Sequence, residues 1–183
     1  RLSFVKQNLG GFTLVETLVA ISIFSVAIVG LMSVLASGIS STTSAKQKMI
    51  ASYLAQEGIE YVRNMRDNYV LFQSNGWNSF RSELVSCNPD GGECGFDSSL
   101  LSTDPDFIFG CSTPSDCKLY VDANTGGYDN DSSGAYSGFV RKIWMEIIDQ
   151  DNEVKIFSYV EWTQGSGTRR VTFSENLFNW VEQ

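Results

Sequence analysis

The sequence contains no histidine. That removes the imidazole general base, the Ser-His and Cys-His nucleophile pairs and most catalytic zinc sites. Basic residues are scarce: 13 Lys and Arg stand against 21 Asp and Glu in 183 residues, a formal net charge of −8. Phosphate binding needs clustered Lys and Arg, so no nucleic-acid partner is expected. The four cysteines include no C-x-x-C pair, which argues against a zinc knuckle. With no catalytic motif and no convergent catalytic set, an enzyme is not expected. The length fits one folded head plus an extra element.

What the sequence does have is an apolar N-terminus. Thr17 to Ala45 contains no charge, and Thr17–Ile39 is rich in Leu, Val, Ile, Ala and Phe. As a helix that stretch is roughly 34 Å long, enough for a hydrocarbon core of about 30 Å. Gly30, Ser33, Ser37 and Gly38 are small residues of the kind found where membrane helices pack. Arg1 and Lys6 precede the run with no acid before Glu16, which keeps the N-terminus cytoplasmic and the remainder outside. An ordinary secretory signal has a similar outline, with Val34-Leu35-Ala36 as its cleavage site. The length of the run and the acid at its start argue against that reading. A lone intramembrane carboxylate is costly and calls for a partner. No Lys or Arg lies within helical reach on the C-terminal side of Glu16. Its partner would come from another chain or from a newly made N-terminus; the alternative is a carboxylate at the headgroup boundary.

The stretch Gly10-Gly11-Phe12-Thr13-Leu14-Val15-Glu16-Thr17-Leu18-Val19-Ala20-Ile21 closely resembles the prepilin signature of type IV pilins and type II secretion pseudopilins. The resemblance implies a prepilin peptidase cut between Gly11 and Phe12, N-methylation of Phe12, and pairing of Glu16 with the N-terminal amine of a neighbouring subunit. It implies an α+β pilin fold, a long N-terminal helix with a membrane-spanning lower half packed on an antiparallel β-sheet head. Residues 1–11 are then the leader, opening on Arg1 and short of its first residue or residues. Residues 12–40 are the transmembrane and assembly helix, 41–72 its amphipathic half, and 73–183 the extracytoplasmic head. Removing the leader leaves 11 basic and 21 acidic side chains. The implied partners are other pilins or pseudopilins, the prepilin peptidase, an inner-membrane assembly platform, and lipid before assembly. The implied location is the inner membrane, then a surface filament. Ser33 stands where many major pilins carry a kinking Pro, which predicts a straighter spine.

Beyond the apolar run, Ile50, Leu54, Gly58, Tyr61, Met65 and Tyr69 form an amphipathic stripe, with Arg63 and Arg66 among the residues expected on the remaining surface. The helix is expected over Thr13–Phe72. Gly58 lies on the stripe, where a missing side chain lets a strand approach. A short helix is expected at Trp77–Leu84.

The middle is rich in Gly, Ser, Asp and Asn. Cys87, Cys94, Cys111 and Cys117 read as disulfides in an exported domain. Three pairings are possible. Cys87–Cys94 and Cys111–Cys117 are favoured because each encloses a turn-rich segment, and such bridges would staple surface loops more than the fold. Asp129-x-Asp131-x-Ser133-Gly134 matches the first half of an EF-hand loop, making Asp129, Asp131 and Ser133 candidate calcium ligands. Val140 occupies the place of the bidentate Glu, and plain turn chemistry is the competing account. No other cofactor is expected.

Strands are expected at Phe139–Ile148, Glu153–Thr163 and Arg169–Phe173, with a fourth at Cys117–Val121, as an antiparallel meander. In the second, Val154, Ile156, Val160 and Trp162 share a face. Val160-Glu161-Trp162-Thr163, Arg169-Arg170-Val171-Thr172-Phe173 and Leu177-Phe178-Asn179-Trp180 more loosely resemble the C-terminus of PilV-type minor pilins. Trp162 and Trp180 read as core or sheet-edge packing. Three functions follow: a minor pilin, a major pilin, or an extracellular binding module behind an ordinary signal. The missing Pro and the PilV-like end favour the first.

Overall fold

The computed structural model describes residues 10–88, 92–101, 104, 106–113 and 115–180. Arg1 and Lys6 of the leader, and Pro89, Asp90, Gly91 and Pro114 of the cysteine loops, lie outside the described residues. The chain divides into two units, residues 1–44 and 45–183.

The first unit is helical from Leu14, the start of α1 (Leu14–Phe72). Thr13 caps it: its Oγ1 accepts the Glu16 N–H at 3.3 Å. Helix continues unbroken through Gly30 and Ser33, where neither residue alone imposes a break. Thr42, Thr43 and Ser44 donate their hydroxyls to the carbonyls of Gly38, Ile39 and Ser40, so this polar stretch satisfies its side chains on the helix itself.

The second unit contains the remainder of α1, a short helix α2 (Gly76–Leu84) and seven strands: β1 (Cys94–Phe96), β2 (Ile108–Gly110), β3 (Lys118–Val121), β4 (Tyr128–Asp129), β5 (Ala135–Asp149), β6 (Glu153–Gln164) and β7 (Gly167–Phe178). All pairings are antiparallel, and β5–β6–β7 is a hairpin-linked meander. The other edge of β5 is shared: β3 pairs near its start and β1 at Ile143. The expected α+β architecture holds, with differences at its margins. β5 begins four residues before Phe139, and β7 continues past Phe173 to Phe178. β1, β2 and β4 are two or three residues long, too short to show alternation.

The face of α1 toward the sheet buries Ala51, Leu54, Ala55, Gly58, Ile59, Val62, Met65, Arg66 and Tyr69. Two adjoining apolar clusters result. One gathers Val62, Met65, Phe80, Phe96, Phe107, Ile143 and Ile156; the other gathers Ala51, Ala55, Leu119, Phe139, Val160 and Trp162. Arg66, expected on the surface, is buried. Its Nε pairs with Asp67 at 2.6 Å and its Nη1 donates to the Phe178 carbonyl at 2.8 Å, so a charged tip ties α1 to the end of β7. Tyr61 is only partly buried, with its ring 4.8 Å from that of Phe96. Trp162 is core, whereas Trp180 is half-exposed rather than packed.

At Gly76 a Cβ would lie 2.0 Å from the Tyr69 carbonyl oxygen, so α2 starts on the one residue that clears the preceding turn.

Candidate assembly surface and processing site

Gly11 and Phe12 precede α1 without regular structure, and both are exposed. A peptide bond in that state is open to a protease, whereas helix would sequester it. Every residue from Gly10 to Thr43 is exposed, including Leu14, Val15, Phe24, Val29, Val34 and Ile39. α1 is long and apolar enough there to cross a membrane. So large an apolar surface is stable only against lipid or other chains. Glu16 sits in the first turn, where the helix N-terminus favours a carboxylate.

The disulfides pair Cys87 with Cys94 and Cys111 with Cys117. The expectation that they merely staple surface loops needs correction. Cys87, Cys94 and Cys117 are buried. Met145 N–H donates to the Cys87 carbonyl, Cys94 pairs with Ile143, and Arg141 N–H donates to the Cys117 carbonyl. Three cysteines thus complete the hydrogen bonding of β5 at successive same-side positions. Sequence spacing cannot show this, because the partner strand is assembled from separate short segments.

The candidate calcium residues Asp129, Asp131 and Ser133 line a cavity of about 200 Å³ with Asp122, Asn124 and Gly134. Their polar atoms close turns. Asp129 Oδ1 accepts the Asp131 N–H, and Asp131 accepts both the N–H and the hydroxyl of Ser133. Asp122 does the same for Asn124 N–H and the Thr125 hydroxyl. The Ser133 N–H holds the Asp131 carboxyl below its ordinary range, and the Asn124 N–H does so for Asp122. Among the described residues there is no group of three or more carboxylate, thiol or imidazole ligands placed to hold a metal.

Two charged clusters were not identified from sequence. Arg141 is 2% exposed on the core face of β5. It donates to Glu57 Oε2 at 2.5 Å, and its guanidinium lies 3.9 Å from the centre of the Phe96 ring. Burial pulls the Arg141 guanidinium below its ordinary value, and Glu57 opposes that. The available signal was parity: Arg141 falls on the same face as Phe139, Ile143 and Met145. On the opposite face of the sheet, Glu93 accepts from Lys142 at 2.6 Å and from the Tyr159 hydroxyl. Burial and then Glu93 raise the Tyr159 phenol. Trp144 stacks on Phe157 at 4.6 Å, and Arg170 covers the Tyr159 ring at 4.1 Å. The ring faces are occupied by one another and by cations, so this face is a closed ladder rather than an open stacking platform.

The family model for the prokaryotic N-terminal methylation motif matches residues 7–32. No curated protein matches the chain, and no solved structure does. The motif marks chains processed by prepilin peptidase and assembled with other pilins, and points to a structural subunit. Together with the long helix that the motif opens and the antiparallel sheet packed on its second half, it supports a type IV pilin-like protein.

Proposed function

We propose that the chain is a minor pilin of a type IV pilus or related pseudopilus filament. The observation that carries the pilin reading is the methylation motif over residues 7–32, which takes in the start of an exposed apolar helix; Ser33 in place of a kinking Pro and the PilV-like end favour a minor subunit. In this reading residues 1–11 are the leader. Prepilin peptidase cuts between Gly11 and Phe12 and methylates the Phe12 amine. The membrane stores residues 12–40 until an inner-membrane assembly platform extracts them into a bundle of helices. Glu16 pairs there with the N-terminal amine of a neighbour, and a carboxylate that is costly in lipid gains a cation in the filament. The head stays outside the membrane throughout. PilV-like character rests on Val160–Thr163 at the end of β6, on Arg169–Phe173 in β7 and on Leu177–Trp180.

N-terminal mass spectrometry tests the proposal. A mature chain beginning at N-methyl-Phe12 supports it; one beginning near Ser37 would establish an ordinary signal and a released or tethered head. Copy number in purified filaments separates a minor from a major subunit.

A further inference from the structure

Strand β7 pairs with β6 along its whole length and with no other strand among the described residues. The register runs from Glu153↔Phe178 to Gln164↔Gly167 without a shift. The strand has no proline. Two common protections of an exposed edge, a bulge and a proline, are therefore absent. Only charges remain, and their arrangement is specific. Arg169, Val171, Phe173 and Glu175 alternate on the helix-facing side; Thr168, Arg170, Thr172, Ser174 and Asn176 are exposed on the other.

We propose that β7 pairs antiparallel with β7 of a second copy of this chain, about a two-fold axis through Thr172. An axis on a residue keeps like faces of the two sheets together. With the axis at Thr172, Arg169 lies opposite Glu175 of the second copy, and Val171 lies opposite Phe173. On the solvent side Arg170 meets Ser174, and Thr168 meets Asn176. The neighbouring choices fail. An axis at Val171 sets Arg169 against Phe173, and one at Phe173 sets Val171 against Glu175 and Arg169 against Leu177. An axis at Arg170 brings two guanidinium groups together. The charges that guard this edge against other strands therefore select its own copy. Glu175 already accepts from Arg63 of its own chain at Nε and Nη2, which holds the carboxylate in place while leaving it half-exposed.

A two-fold axis normal to the sheet reverses every direction within it, so the contact is isologous and closed. A filament built by repeating one operation points all its subunits the same way. On the pilin reading, the pair therefore joins heads of separate filaments rather than neighbours within one.

Thr172→Cys in the full chain, solubilised in detergent, tests the axis. Directly opposite residues have Cβ atoms about 4.5–5.5 Å apart, and the described native cysteines are all in disulfides. Mild oxidation is expected to give a disulfide-linked dimer with Thr172→Cys and little with the exposed control Thr163→Cys. Adding Arg169→Glu, which would face Glu175, is expected to abolish the dimer. Equal cross-linking of the two cysteine variants, or a yield unchanged by Arg169→Glu, overturns the proposal. On the unmodified chain, amide exchange at alternate positions of Thr168–Asn176 is expected to slow as concentration rises; exchange independent of concentration overturns it equally. Neither measurement depends on leader cleavage.

Discussion

Gly58 of α1 and Ser158 of β6 meet with no space for a side chain between them: a Cβ at Gly58 would lie 2.3 Å from Ser158 Oγ and 3.1 Å from Ser158 Cβ. Ser158 is fully buried, and its Oγ has no hydrogen-bond partner. Helix and sheet touch at backbone distance here, between the two apolar clusters. Gly58→Ala gains about 1 kcal/mol in helix propensity and loses about 1–3 kcal/mol to overpacking. A net loss of about 1 kcal/mol is expected on these two terms. Ser158→Ala alone is expected to be neutral or stabilising, because it removes an unsatisfied hydroxyl. The double variant should recover most of the loss. Thermal unfolding of the four chains checks this; additive effects would refute the contact.

The Glu57–Arg141 pair is unequally buried, and its two halves should differ in cost. Glu57→Ala leaves a guanidinium that is 2% exposed without its acceptor. Arg141 Nη2 already has no partner. A loss of about 3–5 kcal/mol is expected. Arg141→Met leaves Glu57 with a side chain 37% exposed, which water can solvate. It also fills the space with apolar volume, so its loss should be clearly smaller. Denaturant unfolding of the two variants decides the order, and an equal or reversed order would contradict the burial asymmetry.

Glu93 gives the head an acid-sensitive contact. Burial pushes its carboxyl up, but hydrogen bonds from Lys142 and Tyr159 pull it further down, so it sits below its ordinary range. A depressed folded value contributes stability above the unfolded carboxyl pKa and loses it as pH falls through the folded value. Stability from this group should therefore be present at neutral pH and fall away below about pH 4. Tyr159→Phe removes one donor and should move that loss to higher pH. Glu93→Gln should be less stable at neutral pH and show a shallower acid decline. Melting temperatures from pH 3 to pH 7 measure both; a Glu93→Gln profile parallel to the parent's would exclude the contact as a source of pH dependence.

The disulfides should differ in weight although they close loops of similar size, with separations of 7 and 6 residues. Chain entropy alone assigns each about 2–3 kcal/mol. Cys87 and Cys94 are also part of the larger core cluster, whereas Cys111 is only partly buried. Replacing Cys87 and Cys94 together by Ala should cost more than replacing Cys111 and Cys117 together, read as the difference in melting temperature of the two double variants.

The legible parts of this chain are those where one local signal repeats. The uncharged run, the stripe through Leu54, Gly58 and Met65, and the alternation in β6 each recur at a fixed period, so α1 and the β5–β6–β7 meander follow from sequence. Where structure is made by distant segments, the sequence is silent. β1 is three residues held between β2 and β5, and its position depends on the cysteine pairing. Arg66, expected on the surface, is buried because the Phe178 carbonyl reaches it; Arg141, which strand parity places on the core face, is buried with Glu57 of α1 as its acceptor. In the loop at Asp129–Gly134, Asp129 Oδ1 and both Asp131 carboxylate oxygens accept hydrogen bonds that close turns, a use that the ligand-like spacing does not disclose.

On the proposed pilin reading, Glu16 connects the legible sequence to assembly. It is exposed in the first turn of α1, its N–H is held by Thr13 Oγ1, and no basic side chain follows within reach along the helix. Glu16→Ala removes the carboxylate but keeps Gly11, Phe12 and the cap. Leader cleavage should therefore proceed, and the processed chain should remain in the membrane fraction, spared the cost of carrying a charge into lipid. Incorporation should fall, because the amine of a neighbouring chain loses its counter-charge in a low-dielectric bundle. Glu16→Gln separates charge from size: it should be impaired like Glu16→Ala if the carboxylate acts as an ion, and close to the parent if it acts only as a hydrogen-bond acceptor. N-terminal mass spectrometry reads processing, and the fraction of chain recovered in sheared filaments reads incorporation. Normal recovery of both variants would remove Glu16 from the assembly mechanism.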